Sequence, residues 1–529
     1  MHAPRYLPLA LLLATTASGQ APLVVSVTAP PSQARAWDHM EKRTNPAVVR
    51  SRFVRINVAA LRRAADSTAH PLTTMRIKFF GNGRLLDIER HQRVLGHDLF
   101  TGLIRGRAEE VSIAIAPDGV TAATFHLVDE SYAITYAATG DIHVLQEMDD
   151  RKQPLLPRAL VAQGNQLRTD RGNAQEPLDT SGKTILDVMM FYTPRAKTTA
   201  GGKTAIESSI INALAQANAT NNASSVKATF RLVYMAETNY IEDGSTGDLA
   251  KFRVMNDGYM DEVHTLRITY GGDLMHLITQ PTKATYCGVA YLMTSLNHGF
   301  KLYAFGVTLR QCLGGNVVAH EMGHNVGLHH DKNNAGRAIY PYAYGFRTAD
   351  NLYRTTMAYS PGTRVNMWSS PNHKHLNYTM GKVNSEDNAR TLTATKATVA
   401  SFYPTRELVW SELGGGIKWL AGLPKATGSG TSNNARPVTV SVTNYRGHVP
   451  GAMVVGLTEL KLPIFGGTLY PSLDLVTPIS GVGYVPINFD ARLVAALPPK
   501  TSIWFQAFFL DTTAIQGVSA TNAIKTILP

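Results

Sequence analysis

The sequence predicts an α+β protein of several domains, in which a central domain of mixed sheet and helices lies between two mostly β units. With 529 residues, the chain is too long for one ordinary domain. Short alternating apolar runs bounded by turn residues dominate both flanks, whereas the middle alternates strand patterns with helix patterns. These observations divide the chain into segments 1–20, 21–150, 151–182, 183–404 and 405–529.

Segment 1–20 has the pattern of a secretory signal peptide. Arg5 precedes an apolar run from Leu7 to Ala17, and small residues follow it. The run is too short to span a bilayer, and no later segment is long and apolar enough to do so. We therefore expect a secreted, extracellular protein without a membrane span.

Segments 21–150 and 151–182 differ in composition. The first alternates apolar runs such as Met75–Phe80 with turns, which predicts a mostly β domain. The second is polar and contains Arg151, Lys152, Arg158 and further arginines, which is typical of an exposed linker that a protease can cut.

The central segment 183–404 opens with an apolar strand pattern, Ile185–Tyr192. A capping box formed by Thr204 and Glu207 predicts a helix next. A strand around Phe230, a helix from about residue 257 to 266, and strands near 274–278, 288–293 and 302–309 complete the predicted order. Ser385 is expected to cap a final helix.

The most informative pattern lies between Asn316, a candidate N-cap, and His330. His320 and His324 are four residues apart, so on a helix both imidazoles project from one face and can bind one cation. Gly327 can adopt a left-handed conformation that ends the helix and returns the chain, so that His330 supplies a third nitrogen. Three imidazoles with an open coordination position describe one catalytic zinc ion, and Glu321 is expected to handle protons beside it.

This H-E-x-x-H-x-x-G-x-x-H pattern resembles the metzincin zinc endopeptidases. The resemblance implies a second mark, a tight turn with Met beneath the metal, and Thr355–Tyr359 fits with Met357 as the floor. Asp331, directly after the third histidine, is similar to the adamalysin/reprolysin branch, whereas Tyr359 is similar to astacins and serralysins, where such a tyrosine approaches the metal. From about residue 185 to 403 the chain most resembles bacterial reprolysin-like enzymes, including the peptidyl-Asp metalloendopeptidases.

The resemblance implies a mixed five-stranded sheet with an active-site helix and a Met-turn. It also implies zinc-dependent hydrolysis of peptide bonds, with Tyr359 either contacting the oxyanion or packing below the site, and Asp331 fixing the chain after the third ligand. The strand 288–293 would be the sheet edge that pairs with an extended substrate. In such an enzyme segment 21–150 would be a propeptide, which makes the chain a zymogen. The propeptide contains no cysteine, which excludes latency through cysteine sulfur, so a carboxylate or a steric cover remains.

Two further features concern stability and partners. Cys287 and Cys312 are the only cysteines and are expected to form a disulfide in an exported protein. The net charge of +12 comes without a basic block or basic–aromatic interleaving, so we expect no nucleic-acid partner and a monomer that acts on proteins and peptides. Calcium binding is left open.

Specificity and the last segment are less determined. A preference for acidic residues beside the cut would need a cation in the pocket. The candidates that flank the Met-turn are Arg347, Arg354, Arg364 and Lys374. Segment 405–529, with strands such as Val438–Val442, predicts a β-sandwich.

The rival interpretations are a non-catalytic secreted adhesin on a metalloprotease scaffold and a zinc hydrolase acting on an amide of a glycan or lipid. The intact Glu321 argues against the first.

Overall fold

A computed structural model gives the structure of the chain. It describes residues 20–28, 45–152, 159–161 and 177–528, apart from residues 66, 68, 82, 108–109, 180, 245, 283–285, 434–435, 448, 480–484, 490–496 and 499. The predicted signal peptide lies outside the described residues except for residue 20, as does most of the predicted processing region. No helix within the described ranges is both long enough and apolar enough to cross a membrane.

In its described residues, the N-terminal unit is an antiparallel sheet of nine strands in the order β1-β2-β9-β8-β7-β6-β5-β4-β3, accompanied by helix α1 (Val58–Ala65). Its apolar side chains form a core of their own. A short 3₁₀ turn, Asp150–Lys152, follows the last strand. The strands are β1 Val24–Ser26, β2 Val48–Ile56, β3 Thr73–Lys78, β4 Gly83–Val94, β5 His97–Ile104, β6 Glu110–Ile115, β7 Thr121–His126, β8 Ser131–Thr139 and β9 Ile142–Met148.

The central domain is built on a mixed sheet in the order β10-β14-β15-β13-β11-β12. Five of these strands belong to the predicted catalytic segment, and the sixth, β10, is contributed by the upstream segment. Strand β14 is antiparallel to β15, whereas β15, β13, β11 and β12 run parallel. The strands are β10 Leu160–Val161, β11 Thr184–Tyr192, β12 Ala228–Glu237, β13 Leu274–Thr279, β14 Gly288–Leu292 and β15 Phe305–Leu309.

Six helices and several short strands complete this domain. The helices are α2 Pro194–Ala200, α3 Lys203–Ala223, α4 Gly247–Arg253, α5 Glu262–Tyr270, α6 Val317–Asn325 and α7 Asn388–Val399. The short strands are β16 His329–Asp331, β17 Tyr344–Gly345, β18 Tyr353–Thr355, β19 Thr363–Val365, β20 Lys374–His375 and β21 Tyr378–Thr379.

The helices differ from the sequence prediction at several points; helix α5, for example, spans Glu262–Tyr270 instead of about residues 257–266. Helix α3 begins at Lys203 after Gly202, so Thr204 does not cap it, and Glu207 accepts a hydrogen bond from the Tyr192 hydroxyl (2.9 Å) instead. Helix α7 is capped by Asp387, whose side chain accepts from the Arg390 amide (3.0 Å), and not by Ser385. Helix α4 was not predicted, because its seven residues are too few to show a helical period.

The last part of the chain forms a β unit of two main sheets and a hairpin. The sheet orders are β22-β32-β30-β25-β28, with β31 beside β30, and β23-β24-β29. Apolar residues from both sheets form one shared core. The strands are β22 Val409–Gly414, β23 Lys425–Ser429, β24 Val438–Thr443, β25 Gly451–Gly456, β26 Glu459–Ile464, β27 Gly467–Pro471, β28 Leu475–Ile479, β29 Val485–Phe489, β30 Ser502–Leu510, β31 Val518–Ala520 and β32 Ala523–Ile527.

Helix α3 joins the N-terminal sheet to the central domain. Its buried Asn212 accepts a hydrogen bond from the Ser112 hydroxyl (2.7 Å) and donates one to the Thr124 hydroxyl. Gln216, one turn later, also donates to Thr124 (3.1 Å). Leu99 and Ala114 of the sheet belong to the core of the central domain. The two units therefore share an interface that is closed to water on both its polar and its apolar parts.

Candidate metal centre and active site

Helix α6 carries the first part of the site. Its residues, including His320, Glu321 and His324, are all buried beneath the sheet. Asn316 occupies the N-cap position, but its side chain does not cap the helix: it donates to the hydroxyls of Thr220 (3.0 Å) and Thr356 (3.3 Å). The expected cap position is thus observed, and its side chain ties the start of the helix to α3 and to the Met-turn.

The turn after α6 brings the third histidine to the first two. Gly327 has a φ of +93°, the left-handed region where a side chain would be strained. His330 then lies with its ring centroid 5.1 Å from that of His320 and 4.5 Å from that of His324. One ligand nitrogen from each of the three histidines lies within 4.8 Å of the others. Among the described residues no second group of His, Cys, Asp or Glu is arranged to hold a metal ion.

Backbone carbonyls set the tautomers of two of these imidazoles. The Nδ1 of His320 lies 2.9 Å from the Thr356 carbonyl oxygen, and the Nδ1 of His324 lies 2.9 Å from that of Leu328. A carbonyl can only accept, so both Nδ1 atoms carry the hydrogen and both Nε2 atoms present lone pairs. The Nε2 atoms of His320 and His330 are 3.1 Å apart. Tetrahedral zinc bound to imidazoles would separate such nitrogens by about 3.3 Å.

Burial keeps these histidines in the form that a metal needs. It lowers the pKa of His324 to about 3 and the pKa values of His320 and His330 well below their ordinary value. All three are therefore neutral across the physiological pH range, and a neutral imidazole is the metal-binding form. Donor type, tautomer and spacing together fit zinc.

Glu321 is buried next to the triad and faces the edge strand of the sheet. A Cβ atom on Gly288 would lie 2.7 Å from its Oε1 atom, so the carboxyl group fills the space that a side chain at 288 would need. Burial raises the pKa of Glu321 well above its ordinary value, and the positive charge of Arg364 opposes this shift. Sequence reasoning missed Gly288, whose role depends on an approach between β14 and α6 that no local pattern shows.

The Met-turn lies beneath the helix. A Cβ atom on Gly323 would meet the Met357 sulfur at 2.7 Å, so residue 323 must be small for the turn to approach. Tyr359 lies beside His330 with a centroid distance of 4.2 Å and its ring tilted by 42°. Asp331 accepts a hydrogen bond from the Tyr359 amide (3.0 Å) and from Asn334 (2.9 Å). The residue after the third histidine thus connects that histidine with the Met-turn.

His329 does not belong to the triad. Its ring accepts from the His330 amide (2.9 Å) and contacts the Gly336 amide (3.1 Å), and it stacks on Tyr344. It shapes the loop that carries His330.

The edge strand β14 is already paired on its outer side. Leu160 and Val161 run parallel to it, opposite Tyr291 and Leu292. The disulfide Cys287–Cys312, expected from the sequence, joins the start of this strand to the loop before α6. The edge expected to receive substrate therefore holds a segment of the same chain.

The four candidate cations for acidic specificity occupy different environments. Arg347 donates to the Ser360 carbonyl (3.0 Å) and contacts Asp331 (3.4 Å), and Lys374 is exposed in β20. Arg354 is only 1% exposed, and Arg364 donates to the carbonyl of Gly315, the residue before the N-cap of α6. Arg354 and Arg364 thus lie on the wall between the Met-turn and the start of the active-site helix.

Comparisons with known proteins agree with this geometry. The profile of metallo-peptidase family M12 matches residues 182–369. The chain is 31% identical to the peptidyl-Asp metalloendopeptidase of Xanthomonas campestris pv. campestris over 305 residues, which cover 55% of this chain and 69% of that protein. It is 32% identical to the peptidyl-Asp metalloendopeptidase of Stenotrophomonas maltophilia over 280 residues, 50% of this chain and 64% of that one.

A solved structure, metalloproteinase-II from Bacteroides fragilis, is 11% identical, covers 52% of this chain and 85% of its own, and has a TM-score of 0.35. That likeness adds nothing to the assignment. The sequence matches confirm the predicted relationship and the predicted enzyme class, a zinc peptidase. The chain belongs to metallo-peptidase family M12.

Proposed function

We propose that this chain is a secreted zinc metalloendopeptidase made as a zymogen, which prefers acidic residues next to the cut. One observation carries the proposal: the three imidazoles converge, carbonyls set the tautomers of His320 and His324, and the Glu321 carboxyl group lies against Gly288 of the edge strand β14. The acidic preference draws on the peptidyl-Asp specificity in the names of the two relatives, of which the chain spans 69% and 64%.

Each residue of the site has its own role in the proposed reaction. His320, His324 and His330 would hold zinc, which supplies a Lewis acid that polarises the scissile carbonyl and lowers the pKa of water. Glu321 takes the proton of the attacking water on a carboxylate oxygen and passes it to the departing amine nitrogen. Tyr359, whose ring lies beside that of His330, is proposed to contact the developing oxyanion. The peptide adds as an extended strand to β14.

The N-terminal unit is the proposed propeptide. It docks on helix α3, and the Leu160–Val161 segment that follows it pairs with β14. A peptide substrate needs the same edge, so the segment blocks it sterically. This favours the steric form of latency. Cleavage within residues 151–182 would release the edge. The C-terminal unit is proposed to be a β-sandwich that binds substrate or a surface, attached to a monomeric enzyme.

The test uses the processed protein and a diverse peptide mixture, with cut sites mapped by mass spectrometry. We expect chelator-sensitive cleavage that zinc restores. Glu321→Ala should lower the rate by on the order of 10²–10⁴-fold while zinc content, measured by elemental analysis, stays the same. Full activity of Glu321→Ala would contradict the assigned base. If the wild-type protein, verified to be free of the N-terminal unit, cuts no peptide, the adhesin interpretation replaces this one.

A further inference from the structure

Arg354, which is buried, and Arg364, which is partly buried, form a cationic wall beside the active site. Arg354 donates through Nε to the Gly362 carbonyl (2.9 Å) and through Nη1 to the Ala358 carbonyl (2.9 Å), so the loop fixes its guanidinium. The Nε of Arg364 is inaccessible to solvent and has no hydrogen-bond partner among the described residues. A guanidinium group held in the interior, as that of Arg354 is, is costly unless an anion accompanies it, and a second cation beside it adds to that cost.

Asp150, from the turn that follows the N-terminal sheet, supplies that anion. Its Oδ2 accepts from Arg354 Nη2 (3.1 Å) and from the backbone N–H of Arg364 (3.0 Å). Its charge also raises the pKa values of both arginines, against the lowering by burial. Within the described structure, it is the carboxylate hydrogen-bonded to this wall.

The two arginines that contact the Asp150 carboxylate also contact the Met-turn and the segment before the active-site helix. Arg364 donates to the carbonyl of Gly315, which precedes α6, and Arg354 donates to the carbonyl of Ala358, which follows Met357. The wall therefore lies between the first turn of the active-site helix and the Met-turn. From Asp150 the same segment continues to Leu160 and Val161 on β14, so one stretch of chain contacts both the wall and the sheet edge.

We propose that Arg354 and Arg364 form the carboxylate-binding pocket that selects an acidic substrate side chain, and that Asp150 occupies this pocket in the unprocessed chain as a stand-in for that side chain. This inference rests on the proposed endopeptidase function. Removal of the segment leaves both cations without Asp150, and the acidic side chain that follows the cut takes its place. The same pair of arginines thus determines specificity and holds the inhibitory segment.

The specificity test compares two peptides that differ only by Asp or Asn after the cut. The ratio of their kcat/KM values is measured on one preparation of processed enzyme, so the fraction of active protein cancels. We expect the wild type to favour Asp, Arg364→Gln to lower the ratio by at least about tenfold, and Arg364→Lys to retain most of it. Lys374→Gln, at an exposed cation of the same region, should keep the wild-type ratio.

The occupancy test uses the full-length chain. Asp150→Asn should be converted to the processed form severalfold faster than wild type, because the segment is held less firmly. Asp149→Asn is the matched control, since Asp149 pairs with Arg151 of its own segment (2.8 Å). Equal conversion rates for the two variants would overturn the stand-in role of Asp150.

The possible outcomes distinguish failure of the proposed pocket from failure of the proposed endopeptidase function. Chelator-sensitive cleavage without an Asp preference, or an unchanged ratio in Arg364→Gln, would overturn the pocket while the endopeptidase stands. Absence of any cleavage would instead overturn the proposed function.

Discussion

The N-terminal and C-terminal units attach to the catalytic domain by different kinds of contact. The N-terminal unit places side chains on helix α3, on the segment before the active-site helix and on the Met-turn wall, through Ser112, Asn45 and Asp150 respectively. The C-terminal unit contacts positions away from the metal centre, for example where Asn433 donates to the Thr269 carbonyl (2.7 Å) at the surface. The N-terminal interface therefore includes residues next to the predicted active site, whereas the C-terminal interface lies away from the metal centre.

The difference bears on what each unit does. Contacts that reach buried groups such as Arg354 and Asn212 change the environment of the site when they are lost. Loss of contacts at exposed positions leaves the environment of the site unchanged. We therefore expect folding and latency to depend on the N-terminal unit and catalysis to proceed without the C-terminal one.

Truncation should show the largest effect. A chain that begins at residue 177 exposes the apolar and polar face of α3, so we expect the yield of soluble peptidase to fall by more than about tenfold. A chain that ends at residue 407 keeps the contacts of Arg231 with Thr405 and Glu407 and should fold and cleave peptides. Yield and chelator-sensitive activity measure both. Equal losses in the two truncations would contradict the comparison.

Removal of the disulfide should rank next. The bridge closes a loop with a sequence separation of 25, so Cys287→Ala with Cys312→Ala should lower the free energy of unfolding by about 3 kcal/mol. Asn45 donates to the carbonyl of Gln311 (2.9 Å), next to Cys312, so docking of the N-terminal unit should weaken as well. Urea unfolding and limited proteolysis measure the two effects. If loss of the disulfide loosens the C-terminal unit instead of the N-terminal one, the proposed difference between the two interfaces is wrong.

A single buried interface residue should have a smaller effect. Asn212→Ala leaves the Ser112 hydroxyl without its acceptor and removes one of the two amide donors to the Thr124 hydroxyl, which should cost about 1–3 kcal/mol. Asn433→Ala, at the other interface, is the matched control and should cost less than about 0.5 kcal/mol. Denaturant midpoints of the full-length chain give both values, and a larger loss for Asn433→Ala would reverse our assignment.

The smallest expected effect concerns pH. His126 Nε2 contacts the Gln216 side chain (3.2 Å) across the N-terminal interface. Burial lowers the pKa of His126, with Arg364 lowering it further and Asp150 opposing the shift. A depressed pKa means that docking is fully stabilised above about pH 6.5 and weakens as the pH falls below it. Protease sensitivity of the interface, measured from pH 7.5 to 5, should rise for wild type and rise less for His126→Gln.

Sequence reasoning was most effective where the chemistry is local. The spacing of His320, His324 and His330, with Gly327 at the turn, can be interpreted from helix geometry alone, because all four lie within one helix and its reversal. The cysteine pair was predicted from compartment and count. The helix starts at Lys203 and Asn388 were predicted at the wrong caps, since several polar residues near each start could serve and tertiary contacts decided among them.

By itself, the sequence predicted the metal ligands and the base, and it determined the family, since all of these depend on a few neighbouring residues. Only the tertiary structure decided which of the four flanking cations contact Asp150, because Asp150 and Arg354 are 204 residues apart and meet through the docking of two domains. It also decided that Gly288 must lack a side chain and that Leu160 and Val161 occupy the sheet edge. Long-range approach and burial leave no local period in a sequence, and burial decides which charges need a partner.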